Sequence, residues 1–514
     1  MFHFAVGRVC RFAMVLALLE IVPCGVSSAR GDDGEPVDVA ALQRRVEDLD
    51  AVVRQMQAER SANPPAAVAP LPALDGTGQP AVPFEGPIAT PASVSAINSI
   101  QTPGPGPAAP KTEAAGLPTA GWDKAFYLQA PDKSFVLHLT GQLQLDYRDY
   151  LDRPDTTDID TFLVRRARLG IEATMLNYYE FRLLPDFGGT SPTVTDAYVN
   201  VHYWDEFQFE TGKFKQPFSY EQLIQDRYVP TMERSMIDQM VPARDVGAML
   251  WGRSLLNDRL DWGIAVSNGE INGNTDTNDD KDINGRVAIR PFNDPDLWAA
   301  TRRLGFGISA GWGVEDEPIN PLTLKTPATV PWFAYNSTVR ADGARSRISP
   351  ELVYFYHSLG FAAQYYHQEQ ELQPSSSSRV LVDVPTDGFY FTTTYLLTGE
   401  ERTDYTQQIA PLRPFDPGLP FVSPGAWELV YRISRLDVPT SVFNAGAANL
   451  ADPTKYSSGA TESTVGVNWY WNKWVRAQLN WEHAWFDDRV ALGTGSNPYL
   501  KHQDTVYTRF QFIF

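Results

Sequence analysis

Cysteine is nearly absent: the 514 residues include two, Cys10 and Cys24. Both precede a small-residue site at Ser27-Ser28-Ala29, so a chain cut after Ala29 holds none and disulfides play no part in it. Long apolar runs are missing too. After the first thirty residues nothing approaches the roughly 20 apolar residues of a transmembrane helix. Positive charge is short as well, with 43 Lys plus Arg against 62 Asp plus Glu and a formal net charge of −19, and no nucleic-acid partner is expected. The 7 histidines show no metal-ligand spacing, and no serine, histidine and acid cluster can be assembled. No metal, no cofactor and no catalytic residues are expected, and the chain does not read as an enzyme. A hydrolase with Ser and His at a barrel rim is the enzyme reading that turnover assays would test.

The N-terminus carries Arg8 and Arg11, the apolar stretch Phe12 to Leu19 and then the small-residue site, which reads as a signal peptide over 1–29 despite Glu20. Ile21-Val22-Pro23-Cys24 also offers a lipoprotein reading, although proline beside the cysteine is a poor lipidation context. Over 30–60, Val39, Leu42, Val46, Leu49, Val53 and Met56 alternate steps of three and four after the first step. This is the seam of a short coiled-coil helix, with a lone amphipathic helix as the alternative. Residues 61–120 hold thirteen prolines and almost no charge. Such a segment cannot bury a core and reads as an extended linker in the periplasm.

What the chain does have is alternation. In the last segment Val506, Thr508, Phe510, Phe512 and Phe514 share one parity, while Tyr507, Arg509, Gln511 and Ile513 take the other. A strand with one face in lipid and one in water has this pattern, and outer-membrane barrels commonly end on such an aromatic. Phe135 to Arg148 alternates for fourteen residues with an aromatic near each end. Comparable runs at 162–174, 178–186, 194–203, 207–214, 246–252, 260–268, 284–290, 304–313, 345–356, 359–367, 389–397, 427–436, 463–470, 475–485 and 504–514 bring the count to about 16 strands. The fold class is all-β: a transmembrane antiparallel β-barrel over 121–514, beginning near Trp122 and preceded by the short periplasmic coiled coil and the Pro-rich linker.

Connection lengths give a test independent of hydrophobicity. Those after odd strands are long, among them 215–245, 314–344 and 437–462, whereas those after even strands include tight joints at 175–177, 204–206, 357–358 and 471–474. The exception is 398–426, long on the short side. Either two strands are missed there or that turn has a task.

Five blocks now carry a resemblance: Phe162 to Gly170 (FLVRRARLG), Gly212 to Phe218 (GKFKQPF), Leu396 to Glu400 (LLTGE), Gly425 to Leu429 (GAWEL) and Gly466 to Tyr470 (GVNWY). In this order, spread over about 125–514, they resemble the phosphate-selective porin O and P family. The resemblance implies a homotrimer of sixteen-stranded barrels, with the third and fifth external loops and one periplasmic turn folded into the lumen. That would account for the three overlong connections at 215–245, 314–344 and 398–426.

By strand parity Arg166, Arg168, Arg182, Arg286, Arg290, Arg347, Arg432, Arg476 and Arg509 face the lumen, and Leu163, Ala167, Leu169 and Ile171 face lipid. Guanidinium stays charged and offers forked donors to phosphate or carboxylate, and several such groups in series let an anion pass without being trapped. Arg432, Arg476, Arg509, Arg166, Arg168 and Arg182 lie on strands made nearly contiguous by closure and could form one positive wall. Three readings stay open: anion binding, a transverse field against acids of the loop, and plain packing. The constriction loop supplies Lys215, Arg227, Glu233, Arg234 and Arg244, beside Glu221, Asp226, Asp238 and Asp245. Arg165 has outward parity, so either it sits at the headgroup rim or a bulge shifts the register.

From residue 121 on, 35 Lys plus Arg face 50 Asp plus Glu, and an acidic mouth would slow anion entry. Asp276 to Ile283 imitates the start of a calcium loop but lacks its glycine and closing glutamate. Gly305 to Ala310 matches a loose dinucleotide pattern, yet no helix follows. The reading that unites these features is a passive diffusion channel in the outer membrane for small hydrophilic solutes, with anions such as phosphate favoured. The competing reading is a structural tether that touches peptidoglycan through the coiled coil and carries an incidental or plugged pore.

Overall fold

The computed structural model describes residues 117–514, apart from 123–124, 152–158, 271–272, 274–275, 277, 445–448 and 494–497. The expected signal peptide, coiled coil and all but the last residues of the linker lie outside the described residues.

A short hairpin, β1 (Thr119–Trp122) and β2 (Phe126–Gln129), precedes the barrel. Barrel strands follow as β3 (Phe135–Tyr150), β4 (Thr161–Met175), β5 (Tyr179–Asp186), β6 (Thr193–Trp204), β7 (Phe207–Lys215), β8 (Arg244–Ser254), β9 (Leu260–Ser267), β10 (Asp282–Ile289) and β11 (Leu304–Pro318). A second small hairpin, β12 (Thr323–Lys325) and β13 (Pro331–Ala334), interrupts the next connection. The barrel resumes with β14 (Arg340–Tyr356), β15 (Leu359–Gln373), β16 (Val382–Leu396), β17 (Ala426–Asp437), β18 (Gly459–Tyr470), β19 (Val475–Ala491) and β20 (Tyr499–Ile513). Neighbours pair antiparallel, and β20 returns to β3 with Ile513 opposite Gln142 and Thr505 opposite Tyr150. The result is a closed barrel of 16 strands, and every run expected from the sequence overlaps one of them.

Alternation decides which way each side chain points. Gln142, Gln144, Asp146 and Arg148 of β3 are buried inside, whereas Leu143 and Leu145 are exposed. On β20 Arg509 and Gln511 are inside and Phe510 and Phe512 outside. Closure leaves no free sheet edge along this wall, the condition for a strand in hydrocarbon. Strands β14, β15 and β19 run to 17, 15 and 17 residues, more than the roughly 9–11 that cross a bilayer. Their excess lies at the long-loop end, where stretches such as Gln368 to Glu371 are polar on both faces and the alternation that marks a lipid-facing strand fades.

One register shift matters. In the β3–β4 ladder Gln144 faces Arg166 but Leu145 faces Val164, so Arg165 is an extra, bulged residue. Of the two expectations for Arg165, a headgroup-rim position or a bulge, the bulge is the one found, and its guanidinium reaches Glu233 of the inward loop. Leu163 and Val164 exchange faces as well, since Val164 now opposes the outward-facing Leu145 and Leu163 opposes the lumenal Asp146.

The seam is covered by two segments end to end. Phe514 and Gly141 exchange backbone hydrogen bonds of 2.9 and 3.1 Å, and below them β2 pairs Phe126 to Gln129 with Leu139 to Val136 of β3. Glycine at 141 makes room for the Phe514 ring, since a Cβ there would lie 2.2 Å from it and the ring would have to turn away. The Trp122 ring sits 6.3 Å from both Trp474 and Phe514. Strand β1 contributes its ladder to β2 alone. A chain beginning at Trp122 behind a signal peptide is therefore expected to insert and conduct, as judged by heat-modifiable mobility and bilayer current; an unfolded or silent product would refute this.

Candidate functional site

The 216–243 connection does not stay outside the barrel. The first of its two helical turns, Tyr220–Leu223, is fastened to the β11 and β14 side, with Ser219 N donating to Ser309 Oγ (3.2 Å) and Tyr220 N donating to Glu351 Oε2 (2.8 Å). Its far limb is held from β18 and β19, where Asn468 Nδ2 and Gln478 Nε2 both donate to the Pro230 carbonyl. The loop thus crosses the lumen. The β12–β13 hairpin packs against it, and Phe218, Met236, Ile237, Leu324, Val330 and Trp332 belong to one buried apolar cluster inside the barrel. Burying that apolar surface fixes the loop inside the barrel.

Two loop carboxylates gather the wall arginines. Glu233 lies 2.8 Å from Arg165, 2.6 Å from Arg509, 3.5 Å from Arg148 and 3.6 Å from Arg166. Asp226 takes Arg166 (3.5 Å), Arg234 (2.6 Å) and Arg168. Behind them Arg168 also holds Asp186, and Arg509 holds Asp146, both at 2.7 Å. Burial pushes the Glu233 and Asp226 carboxyls up, but the guanidiniums outweigh it and hold both well below the usual carboxylate range. These loop acids stay charged at neutral pH and neutralise arginines that would otherwise repel one another.

Of the arginines expected to line the lumen, Arg166, Arg168, Arg432, Arg476 and Arg509 meet this one loop. Arg432 donates to Thr231 Oγ1 (2.8 Å) and to the Glu233 carbonyl (2.6 Å), and pairs with Glu462. Arg476 donates to the Val229 carbonyl (3.2 Å). Arg182 is next to them on β5 but belongs to a separate group, with Glu172 (2.9 Å) and with Asp196, which Arg244 also holds at 2.6 Å. The other three are elsewhere. Arg286 pairs with Glu351, Arg290 with Asp261 at the short-turn rim, and Arg347 with Asp282 at 3.1 Å beside Arg345.

Among the loop cations, Lys215 is spent on structure, its Nζ donating to the carbonyls of Gln222 (2.5 Å) and Ile224 (2.7 Å). Arg227 differs from the rest. Its Nε donates to Gln225 Oε1 (2.7 Å) and its guanidinium lies 5.1 Å from the Tyr228 ring, with no carboxylate partner among the described residues. Arg476 also lacks one, bonding instead to Gln511 Oε1 (3.1 Å). A cavity of about 220 Å³ at the short-turn end is lined by His138, Glu172, Arg227, Tyr228, Gln408 and Trp474. Two smaller ones share Arg227, one reaching Arg476 and Tyr470 and the other Arg168, Arg182 and Arg244.

Sequence reasoning did not single out Arg148, Arg345 or Arg402. Arg148 and Arg345 share parity with residues already placed inside, so their signal was present. Arg402 had none, because it comes from the 397–425 turn, where it enters the wall to pair with Glu428 and lies over the Tyr405 ring at 5.4 Å. In the aspartate-rich loop the Lys281 ammonium bonds Asp276 Oδ2 (2.6 Å) and the Asp280 carbonyl (3.0 Å). A side-chain cation thus takes up donors that a calcium ion would use. No cluster of three or more metal-ligating side chains occurs among the described residues.

Several solved structures are similar to this chain. The anion-selective porin from Comamonas acidovorans is 12% identical and covers 74% of this chain and 100% of its own, with a TM-score of 0.44. The outer membrane channel DcaP of Acinetobacter baumannii is 10% identical over 75% of this chain and 99% of its own, also with a TM-score of 0.44. A trimer form of OmpT, an outer membrane protein of Vibrio cholerae, is 10% identical over 74% and 100%, with a TM-score of 0.44. No curated protein sequence matches this chain. The profile of phosphate-selective porin O and P matches residues 137–514, every barrel strand from β3 to β20 together with the loop that crosses the lumen. By that match, and by the closed sixteen-stranded wall it spans, the chain belongs to the phosphate-selective porin O and P family.

Proposed function

We propose that this outer-membrane porin is a narrow passive channel for small hydrophilic solutes that favours small anions. One observation carries the preference: around the crossing loop the seven arginines Arg148, Arg165, Arg166, Arg168, Arg234, Arg432 and Arg509 meet the seven acids Asp146, Asp186, Glu221, Asp226, Glu233, Asp238 and Glu462, and Arg227 and Arg476 add two cations that form no ion pair among the described residues. In a passage with little bulk water such an excess is weakly screened. The arginines act mainly by setting a field across the loop, with Arg227 and Arg476 as the contacts open to a passing anion. Phosphate is the anion suggested by the family's name. Its recognition here would be by arginine, since Lys215 is held by carbonyls. The working assembly is a homotrimer with the short-turn end and the N-terminal region in the periplasm.

Single-channel reversal potentials in a chloride gradient test this. The protein is expected to be anion-preferring, and Arg227→Gln with Arg476→Gln is expected to remove most of that preference while leaving insertion intact. Added inorganic phosphate should lower the chloride current of the parent and not of the double variant. An unchanged potential in the variant would overturn the reading. The apolar cluster inside the lumen favours a second one, a tether with a plugged pore joined to peptidoglycan by the N-terminal segment; a plugged barrel would give no conductance at all.

A further inference from the structure

The long turn between β16 and β17 divides in two. Its first half folds inward, where Arg402 meets Glu428 and Tyr405 N donates to the Tyr220 hydroxyl (3.1 Å). Its second half, 411–424, runs the other way and lies on the outside of the wall. Phe415 packs edge-on to Trp469 at 4.8 Å and against Trp471 at 5.6 Å, and Trp427 stacks on Trp469 at 5.0 Å. These tryptophans are part of the lipid-facing surface, Trp469 and Trp427 alternating with the lumenal Asn468 and Glu428. Both of their indole N–H groups donate to the Pro424 carbonyl, at 2.8 and 3.2 Å.

The tip beyond Phe415 is apolar and unpartnered. Phe421 is 97% exposed, with Leu419, Val422 and Leu412 also exposed. A monomeric surface in water rarely leaves such a group open. Its backbone is already prepared for a medium without water: Leu419 N and Gly418 N donate to Asp416, and Val422 N and Ser423 N donate to the Leu419 carbonyl. Pro411, Pro414, Pro417, Pro420 and Pro424 have no N–H to satisfy. Both features lower the desolvation cost of entering the headgroup and acyl boundary.

We propose that residues 415–422 are a membrane anchor, inserting Leu419, Phe421 and Val422 into the phospholipid leaflet at the short-turn end, in continuity with the Trp427–Trp469–Trp471 belt. This rests on the barrel lying in a bilayer. It gives the overlong turn two tasks, an inner one at the lumen and an outer one that fixes the height of the wall in the leaflet.

Nitroxide labels on the full chain carrying Cys10→Ser and Cys24→Ser test it, in vesicles of phosphatidylethanolamine and phosphatidylglycerol. Labels go at Phe421→Cys and Leu419→Cys, with Leu479→Cys of the lipid-facing wall and Ser377→Cys of a long loop as references. The ratio of oxygen to nickel-chelate collisions at 421 and 419 should match that at 479 and exceed that at 377 several-fold. A ratio equal to that at 377 would overturn the proposal. So would protection from both reagents, which would mean that a second copy or another protein covers the segment. Were the label at 479 itself open to nickel, the barrel reading would fall and take this one with it.

Discussion

Deletion of Phe510 to Phe514 is expected to abolish insertion altogether. The five residues supply the last pairs of both neighbouring ladders, Phe510 to Ile513 against Leu145 to Gln142 and Val475 to Ala477 against Phe512 to Phe510. They also supply the two Phe514–Gly141 hydrogen bonds that close the seam. Removing them leaves two open edges at membrane depth, where each unpaired N–H or C=O costs several kcal/mol because no water can replace the lost partner. Strand β2 cannot slide up to fill the gap, being tied in register to Val136 through Leu139. The check is the yield of heat-modifiable species in membranes, expected to fall to background. Normal amounts from the truncated chain would show that the C-terminal strand is dispensable for closure.

Glu233→Gln and the pair Arg166→Gln with Arg168→Gln should move ion preference in opposite directions. Glu233 is the counter-charge to four guanidiniums, so its neutral isostere leaves them repelling one another and weakens the loop's hold on the wall by about 3–5 kcal/mol, the usual result of breaking a buried pair from one side. The reversal potential should shift toward anions, with added open-channel noise as the loop loosens. In the arginine double variant Asp226 keeps only Arg234 at close range, and the shift should be toward cations. Arg302→Gln with Arg303→Gln is the control. Arg303 pairs with the exposed Glu401 and Arg302 bonds the Leu297 carbonyl, both at the solvent-facing surface of the short-turn end, where charges are screened within roughly 8 Å. Shifts of one sign in all three variants would show that the paired groups at the loop do not set the preference.

How far the sequence reached can be argued from single residues. The period of two in Phe135 to Arg148 is a local property, since successive side chains of any strand alternate. It therefore predicted that Gln144 and Asp146 point inward before any partner was known. Arg165 shows the limit of that argument. An extra residue in one strand is invisible to a pattern read along that strand alone, and only the β3 partner reveals that Arg165, Leu163 and Val164 change faces. The inward course of 215–245 and part of 398–426 came from the family's blocks rather than from periodicity, because neither segment has a period.

Sequence by itself determined the number of strands, their facing outside the β4 bulge and the short and long ends of the barrel, because these follow from alternation and turn length, which are local. Tertiary structure alone decided which charges meet. Asp226 and Glu233 are ordinary loop acids in the chain, and they become the neutralising centre only when the loop crosses the lumen and an apolar cluster pins it there. It also decided that Arg227 and Arg476 form no ion pair among the described residues, and that the tip at Phe421 lies on the outer wall. These are matters of long-range approach, fixed by closure of the barrel and not by any pattern in the segments themselves.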